Sequence, residues 1–191
     1  MASSKPKSDP GDVVAMLKAD HRKVEELFER FEQARQGDRK QALVLEICTE
    51  LTIHSMLEEE LFYPACKGEI EEDEMLDEAY VEHDGAKVLI AELLDSDPDN
   101  EFYDAKVKVL SEMIKHHVKE EERPGSGIFA QAREAGLDLK SMAAQATARK
   151  EELKMKFAGG NLPPPQTRSY TGHKMVQSQP LEAPAPSPGA D

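Results

Sequence analysis

Two stretches of the chain repeat one local arrangement, His-x-x-x-Glu: His54 with Glu58, and His117 with Glu121. On a helix an i to i+4 spacing puts both side chains on one face, so each stretch offers an imidazole and a carboxylate to the same side. Two further histidines, His21 and His83, fall on the apolar stripes of other helical stretches. Imidazole suits first-row divalent metals, and facing glutamates in a bundle can bridge a pair of them. Four imidazoles and two carboxylates in one layer would match two iron ions. With both glutamates bridging and two histidines on each iron, an octahedral ion keeps about two positions for an oxo or hydroxo bridge and an exogenous ligand.

Each piece alone has a plainer explanation. A lone histidine on an apolar face is usually a hydrogen-bonded core residue, and a single His-x-x-x-Glu is usually a surface pair. Six polar groups on inward faces, among Leu, Ile, Val and Met, are harder to explain that way, because an unpaired carboxylate in such a core is costly. Metal ligation satisfies all six together. His116 with Glu120 has the same spacing as His117 with Glu121, but Leu110, Met113 and Ile114 share a face with His117. Glu112, Lys119 and Glu120 surround His116, which is therefore assigned to the surface or to a supporting position.

These residues need four helices to position them. Asp9 or Asp12 can cap a first, with Val14, Leu17, His21, Val24, Leu27, Phe28 and Phe31 at helical spacing until Gly37. A second carries Leu43, Ile47, Leu51, His54, Glu58 and Leu61 until Pro64 and Gly68 stop it. The acidic run Glu71 to Glu74 opens a third, which presents Leu76, Ala79, His83, Ala86, Ile90 and Leu93. The fourth starts around 98–100, carries Val107, Leu110, Met113, Ile114, His117 and Glu121, and ends at the turn 123–127. At about 1.5 Å of rise per residue along an up-down-up-down path, His21, His54, His83 and His117 come out roughly 14, 18, 16 and 10 Å above the same end. One layer can hold them all.

The reading is thus all-α: an antiparallel up-down-up-down four-helix bundle over 11–127, after a flexible N-terminus at 1–10. Segment 128–158 reads as C-terminal amphipathic helices, broken at Gly136, that pack on the bundle or on another subunit. The Pro-rich 159–191 offers few large apolar groups to offset ordering entropy and is expected to be disordered. Charge narrows the partners. With 38 acidic against 24 basic residues, a net charge of -14 repels phosphate backbones and anionic lipid, so neither nucleic acid nor membrane is expected. Cys48 and Cys66 have no paired zinc spacing and read as small buried apolar groups. With no apolar leader or membrane span visible, a cytoplasmic location is expected.

The stretches Asp20-His21, His54 through Pro64 (HSMLEEELFYP), Glu82-His83-Asp84 and His117-Val118-Lys119-Glu120-Glu121 resemble the hemerythrin-like, or HHE, cation-binding domains over about residues 12–129. The resemblance implies a carboxylate-bridged di-iron site with His21, His54, Glu58, His83, His117 and Glu121 as ligands. It departs from the oxygen carriers of that family at Lys87, where they have a further histidine. Lysine is a poor ligand at neutral pH, which leaves one iron with an extra open position and points away from simple oxygen carriage. The expected ligand is dioxygen, peroxide or nitric oxide in redox or stress defence, with catalase-like or nitric-oxide-reactive chemistry as the enzyme class to test. The alternative is an iron- or oxygen-sensing module that signals to a protein partner, or a homodimer, through the C-terminal helices.

Overall fold

The computed structural model describes residues 11–171. Expectations for 1–10 and 172–191 lie outside the described residues. The elements are α1 (Val13–Gln33), α2 (Gly37–Leu57), a π turn (Glu58–Phe62), α3 (Tyr63–Cys66), α4 (Glu74–Leu94), α5 (Tyr103–Glu121), α6 (Ile128–Glu134) and α7 (Leu139–Lys156). No strand occurs among the described residues. The helices α1, α2, α4 and α5 form the antiparallel bundle, each packing on the next and α5 closing back on α1.

Local chemistry sets the ends. The Asp12 side chain accepts from the Ala15 N–H at 3.0 Å, filling one of the unpaired donors at the start of α1. Its other oxygen pairs with Arg133 of α6, which ties the later helices to the bundle's first residue. Asp73 accepts the Gly68 N–H at 3.0 Å, and Gly68 takes a left-handed φ of 77° to make the turn. Gly127 is required for space: a Cβ there would stand 2.4 Å from the Glu121 carbonyl oxygen, so the chain can pass this close to the end of α5 only as glycine.

The second helix does not stop at Pro64. Proline lacks the N–H that an α-helix needs and its ring meets the carbonyl four residues back. The chain widens instead: the Tyr63 N–H donates to the Glu58 carbonyl five residues back, and helix resumes as α3 through Pro64.

The apolar core is split. One cluster gathers Val14, Leu17, Ile53, Leu57, Phe62, Leu76 and Phe129 with α7; the other gathers Val24, Leu27, Phe28, Ile47, Leu51, Ile90, Val107 and Leu110. Between the two runs a polar layer. Helix α7 lies against α1 and α2 of the same chain and buries Leu139, Met142, Ala146 and Leu153, so its apolar stripe is used internally. Residues 159–171 depart from the expected disorder. They run as coil across the bundle, with Leu162 packed on both clusters, because Arg168 and Ser169 bond to the buried Asp84 carboxylate of α4.

Candidate metal centre

The polar layer is made of His21, His54, Glu58, His83, His117 and Glu121, all buried. Their donor atoms converge in two sets that share carboxylates. His21 Nε2 is 3.0 Å from His54 Nε2, and His83 Nε2 is 3.2 Å from His117 Nε2. Glu58 Oε2 lies 3.1 Å from His54 Nε2 and 3.4 Å from His83 Nε2, so it faces both sets. Glu121 Oε2 does the same from the opposite side, 3.4 Å from His21 Nε2 and 3.5 Å from His117 Nε2. Donors on adjacent corners of a metal with bonds of about 2.1 Å stand roughly 3 Å apart, the spacing found here.

The outer nitrogens fix the rings. Glu122 Oε1 is 2.8 Å from His21 Nδ1, Glu59 Oε1 is 3.0 Å from His83 Nδ1, and Glu82 Oε2 is 2.8 Å from His117 Nδ1. Asp20 Oδ2 faces His54 Nδ1 at 3.9 Å, an ion-pair rather than a hydrogen-bond distance. Each carboxylate comes from the helix beside the one carrying its histidine, in a closed circuit: α1 to α2, the π turn to α4, α4 to α5, and the end of α5 back to α1. A carboxylate at Nδ1 holds the proton there and turns the Nε2 lone pair inward. Two such lone pairs, those of His83 and His117 3.2 Å apart, repel unless a cation lies between them. Glu58 Oε1 and Glu121 Oε2 are buried without a hydrogen-bond partner among the described residues, and a metal pair would give them one.

Without a metal, the carboxylates act on the rings directly. Burial alone would lower the pKa of His54, but the Glu58 charge and the Asp20 carboxylate outweigh it and raise it to about 10. Burial is likewise outweighed at His83, whose bonds to Glu58 and Glu59 raise it to about 9. Glu58 is held well below the usual carboxylate range by His54 and His83, against the effect of its own burial. The site therefore takes up cations in one form or the other, protons or metal.

Tyr63 was not singled out from sequence. Its hydroxyl donates to Glu121 Oε1 at 2.8 Å and lies 3.4 Å from Glu58 Oε2. Residues five apart on an α-helix point about 140° away from each other; the π turn brings Tyr63 round to the face of Glu58. Burial and the Glu121 and Glu58 charges push its pKa well above the ordinary value, so it stays a proton donor. Its ring also stacks on His83, and Phe129 stacks on His21.

Outside the cluster, His116 is exposed and faces Glu82 and Glu120 at 3.5 and 3.6 Å. It supports His117 only through Glu82. Cys48 and Cys66 are free and buried, and burial pushes both thiols up to about 12. Lys87 donates to Glu59 Oε1 at 2.7 Å and to Asp84 Oδ1 at 3.3 Å. Against the four imidazoles lies a cavity of about 20 Å³, room for one small molecule, walled mainly by Val24, Leu51, Ala86, Lys87, Ile90 and Ile114.

A four-helix bundle whose core is interrupted by shared carboxylates and inward-facing imidazoles is a bundle able to bind metal. Residues 12–124 match the family described as the hemerythrin HHE cation binding domain, and the chain belongs to that family. Among solved structures, a hemerythrin HHE cation binding domain-containing protein of Mycobacterium kansasii is similar at a TM-score of 0.64 and 23% identity, covering 76% of this chain and 89% of that one. That likeness shows the fold. Among curated proteins, a DNA nickase of Nostoc is 27% identical over 146 residues, 75% of this chain but 40% of the relative. The chain thus spans about two fifths of that relative's length. No helix among the described residues is long and apolar enough to cross a membrane.

Proposed function

We propose that the chain is a non-haem di-iron protein that binds or reacts with dioxygen, peroxide or nitric oxide in redox defence. The observation that carries this reading is the double sharing: Glu58 faces a histidine of each set, and so does Glu121. One mononuclear site would need neither. Iron held there would supply Lewis acidity and one-electron chemistry. His21, His54, His83 and His117 with Glu58 and Glu121 would hold the iron, each carboxylate facing a histidine of both sets. Tyr63 keeps a proton at Glu121 Oε1, inside the layer. The two apolar clusters exclude bulk water from both ends. The small cavity beside the rings limits the exogenous ligand to a few atoms.

Metal analysis after anaerobic loading tests the reading. Two irons per chain are expected, falling in Glu58→Ala, with an oxo-to-iron absorption band and loss of added peroxide. One metal per chain, or neither band nor peroxide loss, would remove it. Nicking of DNA, the activity in the Nostoc relative's name, is not carried over, since a net charge of -14 opposes binding to phosphates.

A second reading has one observation in its favour. Lys150 of α7 pairs with Asp20, and Asp20 faces His54, so the state of the site is felt by a C-terminal helix. A sensor that signals to a protein partner through α7 follows, and protease sensitivity of α7 that is identical with and without metal would count against it.

A further inference from the structure

Lys87 stands in two walls at once. It lines the small cavity beside the four imidazoles, and it lines a cleft of about 840 Å³ between α2, α4 and the coil after α7. Ser55 and Ile90 share this position, but they are short or apolar. Among the residues lining the small cavity, Lys87 supplies the one ammonium.

That ammonium is held in a way that makes it easy to release. Breaking a buried ion pair is costly chiefly because the partner left behind is uncompensated. Glu59 keeps His83 Nδ1 at 3.0 Å and Arg168 Nη1 at 2.8 Å when Lys87 leaves. Asp84 keeps the backbone N–H of Arg168, and the N–H and hydroxyl of Ser169 at 2.8 and 3.0 Å. The coil that crosses α4 thus leaves Glu59 paired at both oxygens without Lys87, and Asp84 bonded at Oδ2 with the Arg168 guanidinium 3.9 Å from Oδ1. Meanwhile Asp20 lines the small cavity, and Glu58 and Glu121 stand among the histidines of the layer beside it, so the nearby negative charge repels an anion.

The geometry points to Lys87 as the residue that sets ligand specificity: its ammonium turns from Glu59 and Asp84 into the small cavity as counter-charge, so that a two- or three-atom anion is favoured over a neutral diatomic. This rests on the di-iron reading and deepens it. The cavity of about 20 Å³ is little more than one water needs, so it is compatible only with a ligand of a few atoms, and the four-bond lysine stem can reorient without moving the helix.

The test uses the full chain loaded with iron, with azide as the anionic probe and nitric oxide as the neutral one, each titrated by its absorption band. Lys87→Met keeps the length of the stem and removes the charge. Its azide dissociation constant should rise about tenfold or more while that for nitric oxide changes by less than about threefold. The pair Arg168→Met with Ser169→Ala leaves the cavity walls intact but takes the guanidinium from Glu59 and the hydroxyl from Asp84, so that both carboxylates hold Lys87 more tightly while the backbone N–H bonds to Asp84 remain. Azide should weaken by about threefold or more in that variant, with nitric oxide unaffected. Unchanged azide affinity in both variants overturns the role of Lys87 and leaves the di-iron reading standing. An iron-loaded wild type that binds neither probe overturns both.

Discussion

Ferrous iron should raise the melting temperature of this chain far more than occupancy of a surface site could. In the absence of metal, six buried donors crowd one layer, and the unfolded chain has no such arrangement, so binding energy adds to folding energy. A ligand present at 100 times its dissociation constant stabilises by about 2.7 kcal/mol per site. Two sites give about 5.4 kcal/mol. At about 2–4 °C per kcal/mol for a domain of this size, the shift is on the order of 10–20 °C. Anaerobic calorimetry or circular dichroism with stepwise ferrous iron would measure it. His54→Ala removes a donor from one set only, and should lose about half of the shift relative to its own metal-free form. His116→Ala, at an exposed residue facing Glu82 and Glu120, should keep nearly all of it. A shift of a degree or two in the wild type, or an equal loss in both variants, would refute the argument that the buried layer is the binding site.

Other outcomes follow from the same contacts. Because folding raises His54 to about 10 and His83 to about 9, their contribution to the metal-free fold is fully present below about 6.5 and is lost as pH rises through those values. Metal-free melting temperature should therefore fall between pH 6.5 and 10 while apparent metal affinity rises, since protons must leave; parallel trends in pH-resolved melts and titrations would contradict this. Tyr63→Phe removes the donor 2.8 Å from a buried carboxylate oxygen and should cost about 1.5–3 kcal/mol in denaturant melts of the metal-free chain, whereas an unchanged midpoint would deny that bond any weight. In Gly127→Ala the added methyl meets the Glu121 carbonyl at 2.4 Å, so the end of α5 must shift; a loss of about 1–3 kcal/mol and weaker iron retention are expected, and wild-type values in chelator-release assays would sink the point.

Particular residues show why sequence reached as far as it did. The four helices were legible because Leu17, Val24, Leu51, Ile90 and Leu110 recur at a helical period, and the layer was legible because His54 with Glu58 and His117 with Glu121 interrupt that period at matching heights. Tyr63 was not, since its place depends on a π turn that no spacing rule encodes. Pro64, read as a stop, marks the point where the helix widens and continues. Arg168 and Ser169 were hidden for another reason. A Pro-rich segment with little apolar mass looks unable to order itself, and only the buried Asp84, more than eighty residues earlier, gives its backbone donors a partner.

The supporting carboxylates follow a rule that becomes visible only with the fold. Asp20 precedes His21, Glu59 follows Glu58, Glu82 precedes His83 and Glu122 follows Glu121: each sits next to an inward-facing residue. On a helix the neighbour of an inward residue points about 100° round, toward the adjacent helix, so a carboxylate beside one inward group reaches the histidine of the next. Around four antiparallel helices that offset closes on itself. Each ring is therefore oriented by a different helix from the one that carries it, and a rotation of any helix disturbs two histidines at once: its own, and the one its carboxylate holds. The arrangement ties the geometry of the layer to the packing of the whole bundle, and substitutions such as Glu82→Ala should loosen His117 on α5 while leaving the α4 backbone unstrained.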